Sequence, residues 1–110
     1  MADFEIKSGD TSPAIESQLS ADGSAIDLSG VSEVRFLMNL YGTEVVNDDT
    51  SGNVTITDAA NGIVKYEWQP GDTDKAKAHK AEWEVEYSDG TIETFPNDGY
   101  INISITEALD

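Results

Sequence analysis

Between Ala81 and Tyr87 the chain alternates strictly: Ala81, Trp83, Val85 and Tyr87 are separated by Glu82, Glu84 and Glu86. Side chains two apart in an extended strand share a face, so this stretch buries its apolar residues by lying as a strand, one face dry and one wet. Wound as a helix, it would scatter carboxylates and aromatic rings around every side. Ser88-Asp89-Gly90-Thr91 follows, and Asp-Gly between two such runs signals a hairpin. The return strand holds Ile92, Thr94 and Phe95, and Pro96 interrupts it. Ile101, Ile103 and Ile105, alternating with Asn102, Ser104 and Thr106, make a final strand.

The earlier part of the chain repeats this grammar. Val34, Phe36, Met38 and Leu40 alternate with Glu33, Arg35, Leu37 and Asn39; Val64, Tyr66 and Trp68 alternate with Ile63, Lys65 and Glu67. Val54 and Ile56 share one face of a short strand, Ile15, Ser17 and Leu19 predict another, and Phe4 with Ile6 predicts an edge strand. Turn residues separate them at Ser8-Gly9-Asp10, Ala21-Asp22-Gly23, Leu28-Ser29-Gly30, Thr50-Ser51-Gly52-Asn53, Ala60-Asn61-Gly62 and Pro70-Gly71-Asp72. About seven short strands spaced this way predict an all-β fold, an immunoglobulin-like antiparallel β-sandwich. Thr73 to His79 is the one helical candidate, because it follows a plausible N-cap in Asp72 and is rich in Ala and Lys. Two turns at most, it is expected to be a short helical crossover between strands. With 110 residues, no repeat and no linker, the chain is expected to form a single domain over 1–110.

Composition matters here as charge. Asp and Glu number 22 against 6 Lys and Arg, a net charge of −16. Acidic chains are often disordered, and the alternating apolar runs are what let this one fold. Surface carboxylates repel one another at moderate ionic strength, whereas ~1 M salt screens them within ~3 Å. So acidic and lysine-poor a surface predicts a halophilic protein. Free nucleic acid is excluded as a partner, since its binding depends on neutralising phosphates with Lys and Arg. Anionic membrane surfaces are disfavoured for the same reason. Lys75, Lys77 and Lys80 fall close together but are too few to reverse the field. Cysteine is absent, so neither a disulfide nor a thiolate metal site supports the fold. Met1 leads directly into Ala2-Asp3-Phe4-Glu5, from which no secretory leader is expected. The apolar runs are too short to cross a bilayer.

Candidate chemistry is sparse. His79 is the single histidine; no Gly-x-Ser-x-Gly elbow accompanies it, and its Lys-rich surroundings predict a solvated side chain. Glu82, Glu84 and Glu86 form a solvated row, without the apolar wall that would raise one carboxyl for acid–base work, and Asp48-Asp49 sit in a loop. Calcium is the least implausible metal: Asp72 and Asp74 are spaced two apart, and Asn47, Asp48, Asp49 and Asn53 crowd one loop, but no EF-hand spacing is present. Zinc lacks ligands. No cofactor and no metal are expected. Trp68 and Trp83 could stack on sugars, but they fall in phase with the buried positions. Leu37 and Ile63 point to the polar faces of their strands beside Arg35 and Lys65, which makes Arg35, Leu37, Ile63 and Lys65 the candidate partner-binding residues.

Taken in order, Ser8-Gly9-Asp10-Thr11, Asp27-Leu28-Ser29-Gly30 before Val34-Arg35-Phe36-Leu37-Met38, Asn61-Gly62-Ile63-Val64-Lys65-Tyr66-Glu67-Trp68, Ala81 through Gly90, and Thr94-Phe95-Pro96 form a familiar succession. It resembles the immunoglobulin-like N-terminal domain of tailed-phage baseplate upper proteins and similar small domains of other phage tail and virion proteins. The resemblance covers nearly the whole chain. It implies a non-enzymatic structural virion protein, in baseplate, tail or capsid decoration, that docks other virion proteins. Strand edges and loops would make the contacts, in a symmetric homo-oligomer or multi-copy assembly put together in the host cytoplasm. A second class stays open from the residues themselves: a carbohydrate-binding or adhesion module for host cell-surface glycans.

Overall fold

The alternating runs become strands in the structure, a computed structural model that describes residues 2–109. In chain order the strands are β1 (Phe4–Lys7), β2 (Ile15–Gln18), β3 (Ser20–Ala21), β4 (Ser24–Ala25), β5 (Val31–Leu40) and β6 (Thr43–Asp49). They continue with β7 (Val54–Asp58), β8 (Ile63–Tyr66), β9 (Ala78–Tyr87), β10 (Ile92–Phe95) and β11 (Ile101–Thr106). The fold is all-β and sandwich-like. A large sheet runs β1-β11-β9-β5-β6 with β10 also on β9, a three-stranded sheet runs β2-β8-β7, and β3-β4 is a small separate hairpin.

β9 organises the large sheet because it is long enough to hold two partners on one edge. Its first half pairs with β11 (Ala81 opposite Ile101) and its second half with β10 (Trp83 opposite Phe95). The other edge takes β5, with Phe36 opposite Trp83 and Val34 opposite Val85. Opposed residues of an antiparallel pair share a face, so these registers set the apolar side chains of β5, β9, β10 and β11 side by side. The small sheet covers them. Phe36 stacks on Tyr66 with ring centres 4.8 Å apart and lies 4.8 Å from Trp83, and Trp68 meets Phe36 edge-on at 5.9 Å. The Trp83 indole N–H donates to Ser17 Oγ at 3.0 Å, a hydrogen bond from β9 to β2 that joins the two sheets. Trp68 and Trp83 are both core residues, 3% and 0% exposed, so neither offers a sugar-stacking platform.

Four expectations need correction. No helix occurs among the described residues: Asp72 clamps a loop where a helix N-cap was expected. Its carboxylate accepts from the Tyr66 hydroxyl at 2.6 Å and from the Gln69 N–H at 2.8 Å. Burial, reinforced by that carboxylate, pushes the Tyr66 phenol far above its ordinary pKa, so the donor stays protonated. Thr73 is buried and its hydroxyl donates to the Asp10 carbonyl at 2.8 Å. Beyond it the chain bends, with Lys77 N–H donating to the Lys75 carbonyl at 2.9 Å and Ile105 N–H to the Lys77 carbonyl at 3.1 Å, and becomes extended at Ala78. A helix of two turns is marginal on its own, and strand pairing outcompetes it.

His79 is the second correction. It belongs to the inward-facing phase of β9 with Ala81 and Trp83 and is 2% exposed, not solvated. Its Nδ1 lies 2.9 Å from the Lys77 carbonyl and its Nε2 has no hydrogen-bond partner among the described residues. Third, the sandwich is not wholly antiparallel: β1 runs parallel to β11, with Phe4 opposite Ile103. Fourth, the strands exceed about seven, because β6 and the β3-β4 hairpin add to those predicted.

Gly62 sets the contact between the β3-β4 hairpin and the small sheet. Its φ is +68°, and a Cβ there would sit 2.6 Å from the Ile26 carbonyl oxygen and 2.7 Å from that of Leu19. Gly62→Ala is therefore expected to cost roughly 2–4 kcal/mol, combining left-handed strain with backbone overlap. Gly23→Ala, at φ +81° but with no atom within 4 Å, is expected to cost only about 1 kcal/mol. Urea titration of both variants checks the contrast; equal losses would show that the hairpin does not close on Gly62 as described.

Candidate functional site

The outward phases of β5 and β9 form one surface, the exposed face of the large sheet. Strand register arranges it in rungs. Glu84, Arg35 and Asp49 lie across β9, β5 and β6; Glu82, Leu37 and Asn47 form the next rung; Asn102, Lys80 and Asn39 form a third that begins on β11. Arg35 is the hub of the first rung. It donates from Nη2 to Glu33 at 2.6 Å and from Nη1 to Glu84 at 3.1 Å, with Asp49 at 4.0 Å. Asp49 is itself held below the usual carboxylate range, chiefly by the Ser51 hydroxyl, then by the Ser51 N–H, with Arg35 adding a smaller pull.

Of the four candidate partner-binding residues, the structure brings together Arg35 and Leu37, on neighbouring rungs of this face. Ile63 and Lys65 lie on β8, in the opposite layer, where Lys65 reaches Glu67 at 3.8 Å. Alternation identifies the wet side of a strand but not the sheet to which it belongs.

Two features escaped the sequence reading. The first is β6, which closes the large sheet and, among the described residues, carries no further strand on its outer edge. Its end is fixed by Asp48, whose Oδ2 accepts from the Asn53 backbone N–H at 3.1 Å and side-chain amide at 2.8 Å. The second is a groove of about 510 Å³ across the second and third rungs, lined among others by Leu37, Asn39, Lys80 and Glu82, by the exposed Tyr41 and Tyr100, and by the buried His79. Those tyrosines are 84% and 52% exposed, and the Lys80 ammonium stands 5.1 Å from the Tyr100 ring centre. The Tyr41-Gly42 pair was the available signal, but tyrosine is not a usual turn residue. A second recess, about 410 Å³, opens between β2 and the β10–β11 link, beside Ser17, Phe95 and Pro96.

The carboxyls with displaced pKa values point away from acid–base chemistry. Asp27, Asp49 and Asp89 are each pushed down by the hydroxyl and N–H of the Ser or Thr two residues on. That keeps them ionised, the reverse of what a general acid needs. The Tyr87 phenol is pushed up to about 12, mainly by burial and then by its hydrogen bond to Glu93. Among the described residues no three acidic or histidine side chains gather to hold a metal ion. Asp48, Asp49 and Asp72 each accept protein hydrogen bonds.

No protein-family model matches the chain, and no curated protein does. Among solved structures the fold is similar to that of CopC from Methylosinus trichosporium OB3b. The two agree with a TM-score of 0.55 at 12% identity, over 100% of this chain and 89% of that one. At such low identity the likeness speaks to the fold alone.

Proposed function

We propose that this chain is a non-enzymatic docking module with an immunoglobulin-like sandwich, a structural component of a tailed-virus particle that works in concentrated salt. The supporting observation is the open edge of β6, seven residues long, alongside the Arg35 platform. An exposed edge is a template for strand addition by another chain, with main-chain hydrogen bonds giving affinity and flanking side chains giving specificity. Glu44, Asp48 and Asp49 line this edge, so two copies meeting edge to edge would oppose like charges. A neighbouring virion protein with neutral or basic flanks fits it better, and many copies would be placed by the symmetry of the particle.

Purified particles provide the test. Mass spectrometry is expected to find the chain among their proteins, and a photoreactive side chain at Asn47, exposed on β6, is expected to crosslink to another virion protein. The same probe at Glu16 on β2, in the opposite layer, is expected to give no such product. Absence of the chain from particles would reject the virion reading; crosslinks from Glu16 and none from Asn47 would reject the β6 edge.

A further inference from the structure

The groove beside Tyr41 is built in a way that the docking edge does not explain. β5 and β6 are joined by a two-residue turn in which both central residues have positive φ, 51° at Tyr41 and 82° at Gly42. Such a turn favours Asn, Asp or Gly at its first central position, because a side chain branching to a large ring is strained in the left-handed region. Tyr41 gains no burial in exchange, being 84% exposed. A strained aromatic held in solvent at the rim of a groove is a feature of recognition more than of folding. Tyr100, contributed from the β11 side of β9, edges the same groove.

We propose that this groove is a saccharide-binding site for an oligosaccharide of two or three rings. Its volume of about 510 Å³ lies within the range of small-ligand sites. A pyranose presents flat patches of C–H and a rim of hydroxyls, each both donor and acceptor. Tyr41 supplies an apolar ring face for the first, and Tyr100 the ring face that the Lys80 ammonium leaves uncovered. Asn39 and Asn102, whose amides donate and accept, supply the second, with Glu82 as acceptor and Lys80 as donor. Of the lining side chains, Lys80 and Glu82 carry opposite charges beside the buried His79, so the groove lacks the anionic surplus of a molecule of net charge −16. A neutral polyhydroxyl ligand suits that balance, whereas a polycation would be drawn to the unpaired carboxylates elsewhere on the surface and a polyanion repelled. This site is independent of the β6 edge and of whether the chain resides in a particle.

The test is amide-resolved NMR titration of the whole chain in molar KCl with linear trisaccharides of glucose, galactose, mannose and N-acetylglucosamine. At least one is expected to bind, shifting the amides of Leu37, Asn39, Lys80, Glu82 and Asn102. Tyr41→Asn places the preferred turn residue and is expected to melt no lower than the parent while losing affinity at least about tenfold. Tyr100→Ala is expected to lose a similar factor. The proposal is overturned if no trisaccharide moves those amides, if Tyr41→Asn and Tyr100→Ala both bind like the parent, or if a photoreactive group at Asn39 captures a virion protein in particles while no sugar binds.

Discussion

Trp83→Ala is expected to remove about 3–5 kcal/mol of stability, a large share of what a domain of this size holds in reserve. Trp83 is wholly buried at the centre of β9, where β5 and β10 both reach their registers beside it. Its ring packs 4.8 Å from that of Phe36, and its N–H supplies the hydrogen bond to Ser17 that ties one sheet to the other. Truncation opens a cavity and leaves that hydroxyl without its donor. Trp83→Phe keeps much of the ring volume and loses mainly the hydrogen bond, so a smaller cost, about 1–2 kcal/mol, is expected. Urea unfolding followed by far-UV circular dichroism measures both. A loss below about 1 kcal/mol for Trp83→Ala would mean that the sheets do not meet through this residue.

The melting temperature is expected to rise by roughly 10 °C or more between 0.1 M and 3 M KCl, corresponding to about 2 kcal/mol of relieved repulsion. Among the described residues, ion pairs within 4.0 Å join Arg35 to Glu33, Asp49 and Glu84 and Lys65 to Glu67, four carboxylates in all. Against a surplus of −16, such pairing leaves most of the anionic surface to be screened by solution ions. Equal osmolality in sucrose provides the control, since sucrose strengthens burial by exclusion without screening charge. A melt that is flat in KCl, or that rises as much in sucrose, would remove the halophilic inference.

The strands that carry the core were legible because burial on one face imposes a period of two. Val34 to Leu40, Val64 to Tyr66 and Ala81 to Tyr87 lie in the predicted phase, and Trp68 and Trp83 are buried as their alternation predicts. β6 was not legible. Thr43-Glu44-Val45-Val46-Asn47-Asp48-Asp49 covers the rim of the core, and an edge strand with one apolar contact row interrupted by a bulge shows no clean alternation. Its turn was hidden for a different reason, since Tyr41 occupies a position where Asn or Gly would have announced it. In the segment from Thr73 to His79, local preference and tertiary pairing pointed opposite ways. An N-cap and Ala-Lys composition favour a helix by tenths of a kcal/mol per residue, and burying His79 beside Ile103 outweighs that.

By itself, then, the order of residues settled the class of secondary structure, the inward and outward sides of the principal strands, and an anionic exterior. These follow from side-chain period and from charge, both local quantities. Tertiary structure alone decided that Arg35 and Leu37 share a layer while Ile63 and Lys65 occupy the other, that β1 lies parallel to β11, and that Tyr41 and Tyr100 edge one groove. Each depends on which strands become neighbours, and pairing partners are selected by contacts far apart in the chain that no local pattern encodes.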